Sequence, residues 1–212
     1  MSRTALEQLI EKIIHMEYGD AQTLTEKCIS EGMSATEILN GALIPALDRV
    51  GALFQDGEYF LPDVLMSVKA YEYSYNLLEK KLIESNHPSR GVIMLGTVSG
   101  DIHDIGKNIV AALLKGNGFT IIDLGVNVSA EDFLKKAKEK HPDIIGLSSL
   151  LTTTMPAMKE TIDLFTESGI RNFYKIIVGG SPLSQRFADE IGADGYGEDA
   201  ASAITLVKRL IG

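Results

Sequence analysis

Gly96–Asn108 reads GTVSGDIHDIGKN and lies between an apolar run, Gly91–Val92–Ile93–Met94–Leu95, and the periodic segment Ile109–Val110–Ala111–Ala112–Leu113–Leu114. A strand, a loop with glycine and aspartate, and a helix in that succession form the site-bearing unit of an open α/β sheet. Within the loop, His103 sits between Asp101 and Asp104 and just before Gly106, rather than on an apolar face. One imidazole nitrogen can bind a metal while the other donates to a carboxylate, and Asp101 is the natural carboxylate. The competing account is a structural turn, or a phosphate-binding loop with an incidental histidine. Asp101 would be a poor neighbour for a phosphate.

Downstream, short apolar runs alternate with helical patterns. Val92–Leu95 precedes a helix over 104–116, Thr120–Leu124 one over 130–139, and Ile144–Leu147 one over 155–168. Ile176–Val178 then precedes a helix over 183–190, and Asp194–Gly195–Tyr196 one over 199–210. This pattern predicts a five-stranded, parallel, doubly wound sheet covered on both faces. Upstream, strand signals are almost absent. Leu6, Leu9, Ile10, Ile13 and Ile14 recur at helical spacing, with a break expected at Gly19–Asp20 and Asp20 as the next N-cap. A second helix passes through Leu24 and Cys28. Ser34 and Glu37 have capping-box spacing and open a third, which carries Leu43, Leu47, Val50 and Phe54 with Pro45 inside it. Pro45 means either a kink or a misplaced first turn. Gln55–Tyr59 is a turn, and Pro62 suits the first turn of a fourth helix through Leu82. The expectation is a four-helix bundle over 1–88 and an α/β domain over 89–212, joined at 86–91, where His87 is a solvent-facing linker residue.

The 212 residues carry 45% hydrophobic side chains, enough for a real core, and no apolar run approaches the length of a membrane span. No signal-peptide pattern opens the chain, so a soluble, cytoplasmic protein is expected. Asp and Glu total 29 against 20 Lys and Arg, a net charge of −9, which disfavours a nonspecific nucleic-acid surface. Cys28 is the sole cysteine, so no intramolecular disulfide forms, and its bland reading is a small buried helix residue.

In a doubly wound sheet the ligand lies beyond the carboxyl ends of the strands, near the switch in strand order. The ends here carry Asp101-x-His103-x-x-Gly106, Gly125–Val126–Asn127–Val128, the hydroxyl-rich Ser148–Thr154, Gly179–Gly180–Ser181, and Gly197–Glu198. Turns use glycine and serine anyway, but clustering along one rim favours a site. Neither a dinucleotide fingerprint nor a phosphate-binding Gly–Lys–Ser/Thr is present, and Ser148 and Ser149 do not stand in Gly-x-Ser-x-Gly. Four histidines and one cysteine argue on count against a four-ligand metal site from this chain, and His15 and His141 read as surface or capping residues. His103 as a lone ligand makes sense chiefly where a macrocycle supplies the other positions.

Asp101-x-His103-x-x-Gly106, Ser148-x-Leu150 and Gly179–Gly180, in that order, resemble the corrinoid-binding methyl carrier proteins of anaerobic methyltransferase systems. They are also similar to the cap and cobalamin-binding modules of cobalamin-dependent methionine synthase. The run Gly100–Val110 is the most specific part, and Val50–Phe54 with Gly57–Pro62 extends the resemblance across the helical cap. Thr154 stands where methionine synthase has a serine, which preserves the hydroxyl.

The resemblance implies a flavodoxin-like or Rossmann-like cobalamin domain behind a helical cap, and a base-off, His-on corrinoid. His103 would be the lower ligand of cobalt, Asp101 would take the proton of its other nitrogen, and Thr154 would bond Asp101. Gly106, Ser148, Leu150, Thr152, Gly179 and Gly180 would line a channel for the nucleotide tail, while Phe54, Leu61 and Val64 would cover the reactive face. The implied function is to carry a methyl group on cobalt from a substrate-specific methyltransferase to a second one using coenzyme M or tetrahydrofolate, with a reductive activase as a further partner and neither nucleic acid nor membrane. Such a chain is a noncatalytic subunit of a multicomponent system. Methanol, methylamines, glycine betaine and aromatic methyl ethers serve similar carriers as methyl donors. The alternatives are a cobalamin-dependent sensor, which would need an output surface, and a complete small oxidoreductase or mutase, which would need a further acid–base site.

Overall fold

The computed structural model describes residues 4–84 and 89–212. These fall into two compact units, one of residues up to Ser89 together with Gly116–Gly118, the other of Arg90–Lys115 and Phe119–Gly212. Residues 86–88 of the expected linker, His87 among them, lie outside the described residues.

The first unit is a helical bundle. Helix α1 (Ala5–Ile14) starts on a capping box in which Thr4 Oγ1 accepts from Glu7 N at 3.2 Å and Glu7 accepts from Thr4 N at 2.8 Å. The turn that follows it contains Met16, which adopts a left-handed φ of 64°. Helix α2 (Tyr18–Ser30) therefore runs straight through Gly19 and Asp20, correcting the expected break. Asp20 is not an N-cap, and its carboxylate instead lies 3.0 Å from Lys12 Nζ. Tertiary bonding overrides the local signal here. The Ile14 carbonyl at the end of α1 accepts from Tyr59 Oη at 2.8 Å and Ser67 Oγ at 3.3 Å, so the turn is fixed from later in the chain.

Helix α3 (Ala35–Ile38) opens on the expected Ser34–Glu37 capping box and continues without a break through a π-helical turn, Leu39–Leu43, into α4 (Ile44–Gln55). The question posed by Pro45 is thereby answered. Its ring would collide with the carbonyl four residues earlier in a regular α-helix, and the wider π turn immediately before it relieves that clash. Helix α5 (Leu61–Glu84) carries Pro62 in its first turn, and Asp63 accepts from Phe60 N at 2.8 Å. Helix α2 packs on α5, and α1 on both α2 and α4. Leu9, Ile13, Ile38, Leu43, Leu47, Val50 and Leu78 are fully buried between them, as is Cys28.

The second unit is a parallel sheet of β1 (Val92–Thr97), β2 (Thr120–Asp123), β3 (Ile144–Ser148), β4 (Lys175–Gly179) and β5 (Gly195–Gly197). Its helices are α6 (Ile105–Gly116), α7 (Ala130–Lys140), α8 (Met155–Glu167), α9 (Gln185–Glu190) and α10 (Ala200–Ile211). Element ends fall within a few residues of those expected. The strand order β2-β1-β3-β4-β5 is the flavodoxin-like arrangement, so order reverses between β1 and β3. Strands β1 and β3 are almost wholly buried, which explains their continuous apolar sequence. Parallel register places Thr97, Ser148, Gly179 and Gly197 in one row at the carboxyl edge. No described helix is long and apolar enough to cross a membrane.

Candidate functional site

The loop after β1 is closed by the chain around it. Val98 forms a parallel bridge with Val128, Asp101 N donates to the Val98 carbonyl at 3.1 Å, and Thr97 Oγ1 donates to the His103 carbonyl at 3.1 Å. Asn127, left-handed at φ 54°, stitches the β2–α7 loop to it: its side-chain oxygen accepts from Gly100 N at 2.8 Å and its N–H donates to the Asp101 carbonyl at 2.9 Å. The loop is therefore held before any ligand arrives.

Asp101 is fully buried. Its Oδ1 accepts from His103 N at 2.9 Å and lies 2.7 Å from His103 Nδ1, while Oδ2 accepts from Leu150 N at 2.7 Å, Leu151 N at 3.3 Å and Thr154 Oγ1 at 3.0 Å. Burial alone would push this carboxyl up. The backbone N–H groups of His103 and Leu150, the imidazole and the Thr154 hydroxyl outweigh it and hold the group well below the usual carboxylate range. An ionised carboxylate only accepts, so the proton of the neutral His103 ring is fixed on Nδ1 and Nε2 presents a lone pair. The His103 side chain is 47% exposed, and its ring hydrogen bond is made through Nδ1.

Exposed apolar side chains flank this polar pair in sequence. Ile102 is 73% exposed and Ile105 62%, with Leu150 and Leu151 also exposed across the switch point. Large apolar side chains left exposed on the two loops at a switch point suit an apolar ligand face. A lone imidazole donor amid such groups fits a macrocycle that brings its own metal ligands, and among the described residues no three His, Cys, Asp or Glu side chains converge on a common point.

The expected site residues divide in two. Asp101, His103 and Thr154 are joined by hydrogen bonds. Ser148 stands beside Gly179 in strand register, Gly106 lies in the first turn of α6, and Leu150, Thr152 and Gly180 occupy the loops after β3 and β4. A Cβ built on Gly106 would meet nothing within 4 Å, whereas one on Gly180 would lie 1.8 Å from the Ser149 carbonyl oxygen. Phe54, Leu61 and Val64 belong to the helical unit: Phe54 and Leu61 are half-buried and Val64 is fully buried. Neighbouring Phe60, at 68% exposed, and Leu65 are the more open apolar side chains of that segment. Sequence reasoning passed over Asn127 and Ser149. Asparagine in a glycine-containing strand-end loop was the available signal for the first, and a second serine directly after an apolar strand for the second.

Lys107, in the first turn of α6, ties that helix to the end of β2. Its side chain is 2% exposed, and its ammonium reaches Asp123 Oδ1 at 2.6 Å and Asn108 Oδ1 at 2.7 Å. Asp123 is 44% exposed, so the two partners are not equivalent. Asp123→Ala strands a buried ammonium and should cost ~2 kcal/mol or more, whereas Lys107→Met leaves only a hydrated carboxylate and should cost less than half of that. Urea titration of the two variants checks the order, and equal losses would contradict it.

A family model described as B12 binding domain matches residues 91–205, and a second model with the same description matches residues 5–78. The chain is similar to a corrinoid protein of Desulfitobacterium hafniense, with 42% identity over the whole of both chains. It is 40% identical to a dimethylamine corrinoid protein of Methanosarcina acetivorans, over 97% of this chain and 95% of that one. Among solved structures, a chain of a methanol:cobalamin methyltransferase complex from Methanosarcina barkeri superposes with a TM-score of 0.84 at 31% identity, over 98% of this chain and 79% of that one.

Proposed function

We propose a function from the premise that the chain belongs to the family of B12-binding corrinoid proteins. It binds a corrinoid and acts as the methyl carrier between two methyltransferases, a subunit rather than a complete enzyme. When bound, the corrinoid supplies a cobalt centre able to take up a methyl group from one partner's substrate and yield it to another's. The observation that carries the reading is the His103 ring, half-exposed, with Nδ1 tied to a buried carboxylate at 2.7 Å so that Nε2 is the nitrogen left to bind a metal.

Within this reading His103 is the lower cobalt ligand in a base-off, His-on arrangement. Asp101 orients the ring and raises its donor strength, and Thr154 holds Asp101. Gly106, Ser148, Leu150, Thr152, Gly179 and Gly180 border the space for the nucleotide tail. Phe54 and Leu61 are the apolar groups assigned to shielding the reactive face from water, whereas Val64, expected to share that role, is fully buried and offers no surface for it. The acceptor methyltransferase uses coenzyme M or tetrahydrofolate, and a reductive activase restores the carrier after adventitious oxidation. Likeness to a dimethylamine protein and to a methanol complex alike supports donor selection by the partner, not by this chain.

His103→Ala should remove the nitrogen coupling from the paramagnetic-resonance spectrum of the cobalt(II) state. Unchanged coupling would overturn the ligand assignment. Gly106→Ala tests the tail space separately. The free protein has room for that methyl, so folding should be unaffected while corrinoid binding weakens by about tenfold or more. Native affinity in a correctly folded Gly106→Ala protein would move the channel elsewhere.

A further inference from the structure

Ser149 is fully buried, lies next to Asp101, and has no role in the assignment above. Its Oγ is 2.7 Å from Thr154 Oγ1, 3.2 Å from the Leu151 carbonyl and 3.5 Å from Asp101 Oδ2. Thr154 Oγ1 in turn is 3.0 Å from Asp101 Oδ2 and 2.9 Å from the same Leu151 carbonyl. Two hydroxyls thus share two acceptors, a charged one and a neutral one.

Each hydroxyl has a single proton, which limits the arrangements. If Thr154 donates to Ser149, or to Leu151, the carboxylate loses its nearer hydroxyl donor and keeps only the longer contact to Ser149 at 3.5 Å. If Ser149 donates to Thr154, the Thr154 proton is free for Asp101, and that bond is the stronger because its acceptor is ionised. Successive donors in one chain also polarise each other in a buried setting. The favoured order is therefore Ser149 to Thr154 to Asp101, with His103 Nδ1–H donating from the other side.

We propose that Ser149 is a second positioning hydroxyl of the histidine–carboxylate pair. It directs the Thr154 proton toward Asp101 and takes over as donor when that hydroxyl is missing. The proposal deepens the corrinoid reading and rests on it for its purpose, though its geometry belongs to the free protein. Without Ser149, Thr154 chooses between two acceptors at nearly equal distance. Without Thr154, a small rotation brings Ser149 from 3.5 Å into bonding range of Asp101. Only loss of both leaves Oδ2 with backbone donors alone.

The test is a double-mutant cycle on the full chain without corrinoid, using Ser149→Ala, Thr154→Ala and the pair. The readout is the exchange rate with water of the His103 Nδ1 proton, followed by nuclear magnetic resonance at fixed pH. Each single variant should speed exchange modestly, and the pair should exceed the product of the singles by about threefold or more. Ser149→Cys keeps the volume but is a poor donor, so it should resemble Ser149→Ala. Independent effects in the cycle, or a Ser149→Cys protein exchanging at the native rate, would overturn the proposal. Urea titration of all four variants separates this from loss of fold, because a merely structural role would move stability and leave the exchange rate of the folded state unchanged. A failed cycle leaves the corrinoid reading standing, since no corrinoid enters the experiment. Failure of His103→Ala to change the nitrogen coupling would instead remove the ligand assignment and leave the hydroxyl pair intact.

Discussion

Asp101→Asn is expected to disarm His103 by moving its proton to the wrong nitrogen. The backbone and imidazole partners of the Asp101 side chain are all donors, so among these partners only the Thr154 hydroxyl could turn to accept from an amide nitrogen. Turned toward the loop after β3, it would face the N–H groups of Leu150 and Leu151, which cannot reverse. Turned toward His103 it meets one fixed N–H and one imidazole nitrogen, and imidazole can exchange tautomers. The second orientation is the less costly. It makes Nδ1 the acceptor and places the ring proton on Nε2, removing the lone pair offered to a metal. Loss of a buried, charge-assisted hydrogen-bond set should cost about 2–4 kcal/mol of stability in the corrinoid-free protein. Nitrogen-15 shifts of the ring read the tautomer and denaturant titration reads the stability. An Asn variant within ~0.5 kcal/mol of native that keeps the Nδ1–H tautomer would refute this account of the pair.

Gly180→Ala should be the other severe substitution. Gly180 adopts φ +140°, a conformation that side chains rarely enter, and a Cβ there would lie 1.8 Å from Ser149 O and 2.9 Å from Ser149 C. Backbone, unlike a side-chain tip, cannot swing aside, so the Ser148–Thr154 loop must shift. That loop supplies the Leu150 and Leu151 N–H groups that hold Asp101. A loss of about 3 kcal/mol or more is expected, with faster hydrogen exchange at those two amides. Gly179→Ala is the control. Its Cβ would stand 3.3 Å from Gly197 O, with no positive φ, and should cost under ~1 kcal/mol. If the two alanines behaved alike, the close approach at Gly180 would not be what sets the loop.

Period and punctuation made the α/β unit legible. Strands β1 and β3 are continuous apolar runs because both faces are covered, and each is followed by a helix of the right length. The Asp101–His103 pair was legible for a local reason, since residues two apart in a turn meet through the turn itself. Ser149 was not, because its value comes from Asp101, brought to it by the parallel pairing of β1 with β3, and from Thr154, placed by the turn of their shared loop. The end of α1 was misread for the same kind of reason. Gly19–Asp20 looks like a helix start, but Tyr59 and Ser67 secure the Ile14 carbonyl and place the turn at Met16. Local signals succeed where bonding is local and fail where a distant side chain decides.

The π turn at Leu39–Leu43 also bears on how the helical unit tolerates changes in length. Such a turn is an α turn that has taken in one extra residue, so a deletion of one residue within it would restore regular helix and rotate everything before it by one position relative to α4. Regular helix is the geometry that the ring of Pro45 forbids. The extra residue and the proline therefore form a single inherited character: a chain that loses one should tolerate the loss only where it has also lost the other.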